Sequence, residues 1–329
     1  GAGDATTAKP RHPQHPFSAF LPPSNQRPRT LPRDVLVNVP STNVSLGCNE
    51  ETLAAVGFVW DNELPAQPAT AVPSFQLGAT PITNREFAEF VADGGYKNAK
   101  YWASNPVSDA VMSAGGSDAW AWLSREGLSA PRLWDPNPAA SAAAASAAAW
   151  GVRTACDGVV PMIMVDGADD GGEANAADWP AWVTLFEAAA FCEWRGGGAR
   201  IMSEHEYHAV FGGDQAAFNA AARHGNNNWK HRTPVPVGTM GDGEPTNGVF
   251  DMVGNGWEWT ASTFLPLNGF APMESYPEYS ADFFDGKHFV MKGASPFTSS
   301  RLQRLSFRNF FQPNYPYVFA KFRVAYDCE

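Results

Sequence analysis

The side chains best suited to hold a cation lie within residues 250–260, FDMVGNGWEWT. Asp251 and Glu258 supply two carboxylates, and Gly254 and Gly256 let backbone carbonyls turn inward without a side-chain clash. These four ligands suit a hard cation such as calcium, which is bound through oxygen atoms. Strand alternation puts Trp257 and Trp259 on one face and Glu258 on the other, so the segment also reads as a tryptophan-anchored core turn with a solvated glutamate. A second group comes later. Arg304 and Arg308 sit among aromatics, a pattern that suits a cleft wall recognising a carboxylate through the guanidinium fork. The alternative is a pair of structural cations stacked on an aromatic core.

The other polar residues carry weaker signals. His205 and His208 are three apart on an expected helix, a spacing that places two ligands on one face. The sequence is not HExxH, and they read as surface or capping histidines. His12 and His15 lie between prolines that deny them a rigid face. Asp166, Asp169, Asp170, Glu173 and Asp178 lack the regular spacing of a calcium loop and read as a solvated stretch. Cys48, Cys156, Cys192 and Cys328 form no CxxC pair, so free thiols are expected; Cys48 with Cys328 is the one pairing that would tie the first strand to the last.

The elements that must position these groups are short. Seven prolines in residues 1–33 make a tail or linker, and the globule is expected to begin at residue 34. DVLVNVPSTNVSL reads as two short strands around Pro40, SFQLGA as the next, and FVWDNELP as a turn. Thr83 with Glu86 forms a capping box opening a helix that Gly94 and Gly95 stop. WVTLFEAAAFCEW, residues 182–194, predicts the clearest helix, with Phe186, Ala190 and Trp194 on one stripe. Ser203 with Glu206 caps the helix that carries His205 and His208. Residues 115–150, with their alanine run, read as surface, within an alanine-rich insertion near 104–178. FRVAY, residues 322–326, is a terminal strand placed to close against the strand near Val44.

Composition narrows the class. With 44% hydrophobic and 13% aromatic residues the chain is a packed globule, while 30 glycines and 27 prolines in 329 residues favour turns over long helices. A net charge of −11 and no basic stripe argue against nucleic acid as a partner. No run approaches the ~18 apolar residues of a membrane span, and no signal-peptide pattern opens the sequence. A soluble protein without membrane insertion is therefore expected, with an intracellular setting favoured.

Taken in order, FVWDNELP, PITNREFAEFVADGGY, WVTLFEAAAFCEW, ARIMSEHEYHAV, GNGWEWT, YSADFFDGKHFVMKGAS and SFRNFFQPNYPYVFAKFR resemble the superfamily of formylglycine-generating enzymes and iron-dependent sulfoxide synthases of ergothioneine and ovothiol biosynthesis. DNE, DGGY, FFDG and YPYVFAKFR are closest to the ergothioneine-type synthases. The resemblance implies an α+β, C-type-lectin-like fold of few regular elements and long loops over residues 34–329. It also implies structural calcium at the WEWT turn, on Asp251, Gly254, Gly256 and Glu258.

Formylglycine-generating enzymes bind copper through a cysteine pair after their GGS motif, and residues 293–308 hold no cysteine. Sulfoxide synthases hold ferrous iron by three histidines, most of them on a helical bundle with an HxxxHxE signature, and this sequence contains no such signature. Iron is therefore not expected in this chain alone. The GGSW, RLPTE and DNExP-histidine positions have drifted to GASP, RIMSE and Gln67, and Phe311 stands where some synthases carry an acid. Arg308, Asn309, Tyr276 and Tyr279 are the residues expected to line the remaining cleft. One reading is a non-catalytic module that binds other protein subunits, with a small-molecule ligand also possible. The alternative is the substrate-binding half of a synthase that joins a cysteinyl thiol to a histidine-derived imidazole.

Overall fold

The computed structural model describes residues 34–137, 150–154, 158–162, 175–240 and 246–328. The proline-rich tail with His12 and His15, the alanine run at 139–149, Asp166 through Glu173 and Cys156 lie outside the described residues. Glycine and proline keep the elements short. In chain order they are β1 (Leu36–Val39), β2 (Thr42–Val44), α1 (Glu50–Val56), β3 (Thr70–Val72), β4 (Phe75–Gly78), α2 (Asn84–Ala92), α3 (Lys100–Ala103), α4 (Pro106–Ser113) and α5 (Ala119–Glu126). There follow β5 (Trp134–Pro136), β6 (Trp150–Arg153), β7 (Val159–Pro161), α6 (Leu185–Arg195), β8 (Arg200–Ile201), α7 (Glu204–Val210) and α8 (Gln215–His224). The last are β9 (Gly256–Thr263), α9 (Glu278–Ala281), β10 (Phe289–Ala294), β11 (Asn309–Phe311), β12 (Ala320–Lys321) and β13 (Val324–Asp327).

Helices begin where side chains satisfy their free amides. Thr83 with Glu86 and Ser203 with Glu206 form the expected capping boxes. Thr184 with Glu187 forms a third, so α6 starts at Leu185 and leaves Trp182 and Val183 outside it. The indole of Trp182 instead donates to the Asn255 carbonyl at 3.0 Å.

Two four-stranded sheets carry the core, ordered β1-β4-β13-β8 and β11-β10-β9-β12, with small β2-β3 and β5-β6-β7 sheets beside them. The result is an α+β fold, as expected. β13 pairs with β4 and β8, whereas Val44 in β2 pairs with Thr70 in β3, so the terminal strand does not close against the strand near Val44. β4 lies between β13 and β1, and that central place suits FQLG, whose Phe75 and Leu77 are buried.

The described residues 115–137 also depart from the surface role expected of them. Ala119, Trp122, Leu123 and Trp134 are buried in the larger core with α2 and α6, because α5 turns an apolar face onto Trp102 and Phe186. A tryptophan buries roughly 150–250 Å², so Trp122 and Trp134 favour packing this segment on the core. No helix among the described residues is long and apolar enough to cross a membrane. Cys48 is buried and Cys328 exposed, and both are free thiols, so no bond ties the first strand to the last.

Candidate functional site

At the WEWT turn, alternation along β9 sends Trp257 and Trp259 into the larger core and Glu258 to the opposite side, as expected. Glu258 is nevertheless not solvated. It is fully buried, with Lys321 Nζ at 2.6 Å and Arg323 Nε at 3.1 Å. The same ammonium lies 3.0 Å from the Gly256 carbonyl, so a lysine holds two of the four expected calcium ligands. The Asp251 carboxylate accepts from the Gly238 amide at 2.6 Å, and its backbone carbonyl accepts from Arg323. Burial would raise the Glu258 carboxyl, but Arg323 and Lys321 outweigh it and hold it below its ordinary value. The residues expected to hold calcium thus lie within a lysine–arginine–glutamate cluster, whose two resident cations would repel a third. Gly254, at φ 98°, is required here: a Cβ would meet the Asn226 backbone at 2.7 Å. Asn255 locks the turn, exchanging hydrogen bonds of 2.9 Å with both backbone groups of Val235.

The second cluster surrounds the DNE turn, residues 61–63, all three buried. Arg304 forks onto Glu63, with Nε to Oε2 at 2.7 Å, and Ser306 donates to the same carboxylate at 2.7 Å. Arg308 forks onto Glu204 at 3.0–3.2 Å and donates to the carbonyls of Asn62 and Leu265. Lys292 joins Glu204 at 3.4 Å and the Phe307 carbonyl at 2.7 Å. Burial would raise the Glu204 carboxyl, yet Arg308 and Lys292 bring it down to about 2; burial lowers the Lys292 ammonium to about 8. Arg304 and Arg308 are 3% exposed and lie over the rings of Phe307 and Phe264. Both therefore face internal carboxylates and act as structural cations rather than an open carboxylate-binding wall.

What faces solvent beside this cluster is aromatic. Trp60 stacks on Tyr279 at 3.9 Å and 16°, Phe58 meets Trp60 edge-on at 5.1 Å, and Tyr276 lies 5.7 Å from Tyr279. Phe58 and Tyr276 are each 52% exposed. α9 is bolted beneath them: Asn62 donates to Ser280 Oγ at 3.0 Å, and Ser280 donates to Asp61. Burial, then the charges of Glu63 and Asp61, push the Tyr279 hydroxyl up to about 12. Neither tyrosine hydroxyl has a hydrogen-bond partner among the described residues. The structure thus sets Tyr276 and Tyr279 on one side of the DNE turn and Arg308 beneath it. Asn309 is half-buried in β11, its carboxamide oxygen accepting from the next amide, that of Phe310. Phe311 stacks on Tyr315 at 4.8 Å. Gln67 pins the neighbouring loop by donating to the Asn268 carbonyl and accepting from the Asn268 amide.

Sequence reasoning missed Lys321, Arg323, Glu63, Glu204 and Lys292. A signal existed for the first two: AKFRV alternates apolar residues with cations at i and i+2, which places both cations on one strand face. It also placed His208 at the surface. In fact His208 is buried, and neither ring nitrogen has a partner among the described residues. Burial, then the charge of Lys292, pushes its imidazolium well below the ordinary range. His205, by contrast, is half-exposed. Iron of the kind the resemblance implies does not fit the described residues. No three His, Cys, Asp or Glu side chains among them converge, and the buried His208 imidazole, unpartnered among the described residues, feels the charges of Lys292, Glu204, His205 and Arg308.

A fold of short strands and long loops, a glycine-locked WEWT turn and a buried DNE–arginine pairing together define the class, and the chain belongs to the sulfatase-modifying factor enzyme 1-like domain family, whose profile matches residues 22–328. More particularly, it is similar to the hercynine oxygenase of Mycolicibacterium thermoresistibile, with 32% identity over 295 residues, 84% of this chain and 56% of that protein. It is 27% identical over 332 residues to ergothioneine biosynthesis protein 1 of Neurospora crassa, covering 82% of this chain and 34% of the relative. The solved structure of PvdO from Pseudomonas aeruginosa aligns over 92% of this chain and 99% of its own, with a TM-score of 0.45 and 16% identity. The chain spans about half the length of the hercynine oxygenase it matches. The sulfoxide-synthase resemblance read from DNE, DGGY and YPYVFAKFR agrees with these relatives.

Proposed function

We propose that this chain is the substrate-binding half of an ergothioneine-type sulfoxide synthase, joining a cysteinyl thiol to a histidine-derived betaine with oxygen. Any redox metal of that reaction is then held by groups other than the described residues. The observation that carries the reading is the aromatic face of Phe58, Trp60, Tyr276 and Tyr279, fixed through Ser280 to Asp61 and Asn62. Aromatic faces attract a quaternary ammonium by roughly 0.5–2 kcal/mol, which suits the trimethylated nitrogen of such a betaine. The Tyr276 hydroxyl, exposed and without a partner among the described residues, is placed to move a proton at the edge of that face. Similarity to a hercynine oxygenase over 84% of the chain supports the same substrate class.

The test is tryptophan fluorescence titrated with trimethylhistidine and with histidine. The expected result is saturable quenching by the trimethylated compound alone, weakened about tenfold in Trp60→Ala. Equal responses to both compounds, or none, would sink the reading. A second reading, a non-catalytic module that binds other subunits, is favoured by Arg304 and Arg308 closing on internal carboxylates and by Phe311. It predicts no response to either compound.

A further inference from the structure

We propose that the cleft at the C-terminal end of α8 binds a phosphate monoester carried on a hydroxyl-bearing body, at a place that shares no residue with the aromatic face. The cavity measures about 630 Å³ and is lined by Arg223, Lys230 and the carboxamides of Asn219, Asn227, Asn228 and Gln303. That volume lies within the roughly 300–1,000 Å³ of small-molecule sites. No carboxylate lines it. Neither the Arg223 nor the Lys230 side chain makes an ion pair or hydrogen bond among the described residues. In a chain of net charge −11, two such cations on one cleft reverse the local sign.

The walls are built rather than draped. Asn228 N donates to the Thr298 carbonyl at 3.0 Å and Trp229 N to the Pro296 carbonyl at 2.8 Å, while Ser300 N donates back to Asn228 Oδ1 at 3.2 Å. Asn227 Nδ2 donates to the Ala222 carbonyl at 2.7 Å, tying the turn to the helix end. Gly225 is required, since a Cβ there would come within 2.0 Å of the Val253 carbonyl. Asn228 and Trp229 sit at φ 51° and 64°, a left-handed conformation that non-glycine residues rarely hold without surrounding constraint. The constraint keeps two cations and four amides around one space.

The ligand class follows from charge and donor type. An arginine fork and a lysine point charge together balance a phosphate monoester of about −1.5 to −2, whereas a single carboxylate would leave one cation unmatched. Carboxamides and the Ser300 hydroxyl exchange hydrogen bonds with hydroxyl groups.

The experiment is calorimetric titration of the full chain at low salt with glucose 6-phosphate, and separately with glucose, inorganic phosphate and malate. Glucose 6-phosphate is expected to bind more tightly than the other three, and Arg223→Gln and Lys230→Gln each to weaken it about tenfold. Both residues are exposed, so the variants should melt with the wild type; should one misfold, the other decides. Arg125→Gln, an exposed position on α5, should leave binding unchanged. Three results would each overturn the site: malate or glucose binding as tightly as glucose 6-phosphate, no binding at all, or Arg125→Gln weakening it equally. Because trimethylhistidine plays no part, this outcome is independent of the synthase reading.

Discussion

Two buried clusters in this protein have the same composition and different settings. In each, one glutamate is held by one arginine and one lysine: Glu258 by Arg323 and Lys321, and Glu204 by Arg308 and Lys292. Around Glu258 the cations also donate to the carbonyls of Gly78, Phe250, Asp251 and Gly256, and all three charged groups are essentially inaccessible. Around Glu204 the arginine reaches the carbonyls of Asn62 and Leu265, beside the open aromatic face, and His208, unpartnered among the described residues, adjoins. Identical charge chemistry therefore fastens a strand in one place and lies beside an exposed aromatic face in the other. What differs is what the spare donors hold.

The contrast can be broken most sharply at Glu258. Glu258→Gln strands Lys321 and Arg323 without a counter-charge and should cost about 3–5 kcal/mol in denaturant unfolding. If Lys321 and Arg323 fill the role of a cation at this turn, chelation should leave the midpoint where it is; a midpoint that falls with chelator would support calcium there. Glu204→Gln should cost less, roughly 2–3 kcal/mol, because Arg308 also bonds the carbonyl of the exposed Leu265, where water can reach the stranded cation more readily than at Glu258. An equal or larger loss than at Glu258 would erase the distinction.

Acid titration sharpens it further. Glu204 is held at about 2 in the folded protein against 4.5 in the unfolded, so its stabilisation is present above pH 4.5 and lost as pH falls toward 2. His208, lowered from 6.5, already favours the unfolded chain below pH 6.5, since only there can it take up its proton freely. Denaturant midpoints measured between pH 7.5 and 5 should therefore fall, and His208→Phe should flatten that slope; an unchanged slope would mean that His208 is not the group responsible. The smallest effect belongs to the open face. Tyr276→Phe should lie within about 0.5 kcal/mol of the wild type in stability, leaving any change it makes to ligand handling.

What the sequence revealed was local. Thr83 with Glu86 and Ser203 with Glu206 are three residues apart, and their spacing alone specifies the bonds they make. The alternation of Trp257, Glu258 and Trp259 likewise placed each side chain on the correct side of β9. What stayed hidden was the identity of partners far along the chain. Glu63 meets Arg304 across 241 residues, and Glu258 meets Arg323 across 65, through a parallel pairing of β12 with β9 that no spacing announces. Asp251 and Glu258 beside two glycines read as oxygen ligands for calcium because the spacing is silent about Lys321 and Arg323, which arrive from later in the chain. His208 shows the same gap: helical spacing gives its direction from α7 and is silent about what covers it.

Both large sheets depend on residues 320–327. β12 supplies an outer strand to one, and β13 fills an inner position between β4 and β8 in the other. Ribosomes extend a chain by roughly 5–20 residues per second, so the stretch from β4 to β13 takes tens of seconds to emerge. Throughout that interval β4 lacks one of its two lateral neighbours, and chaperone demand during translation should be set by that waiting time.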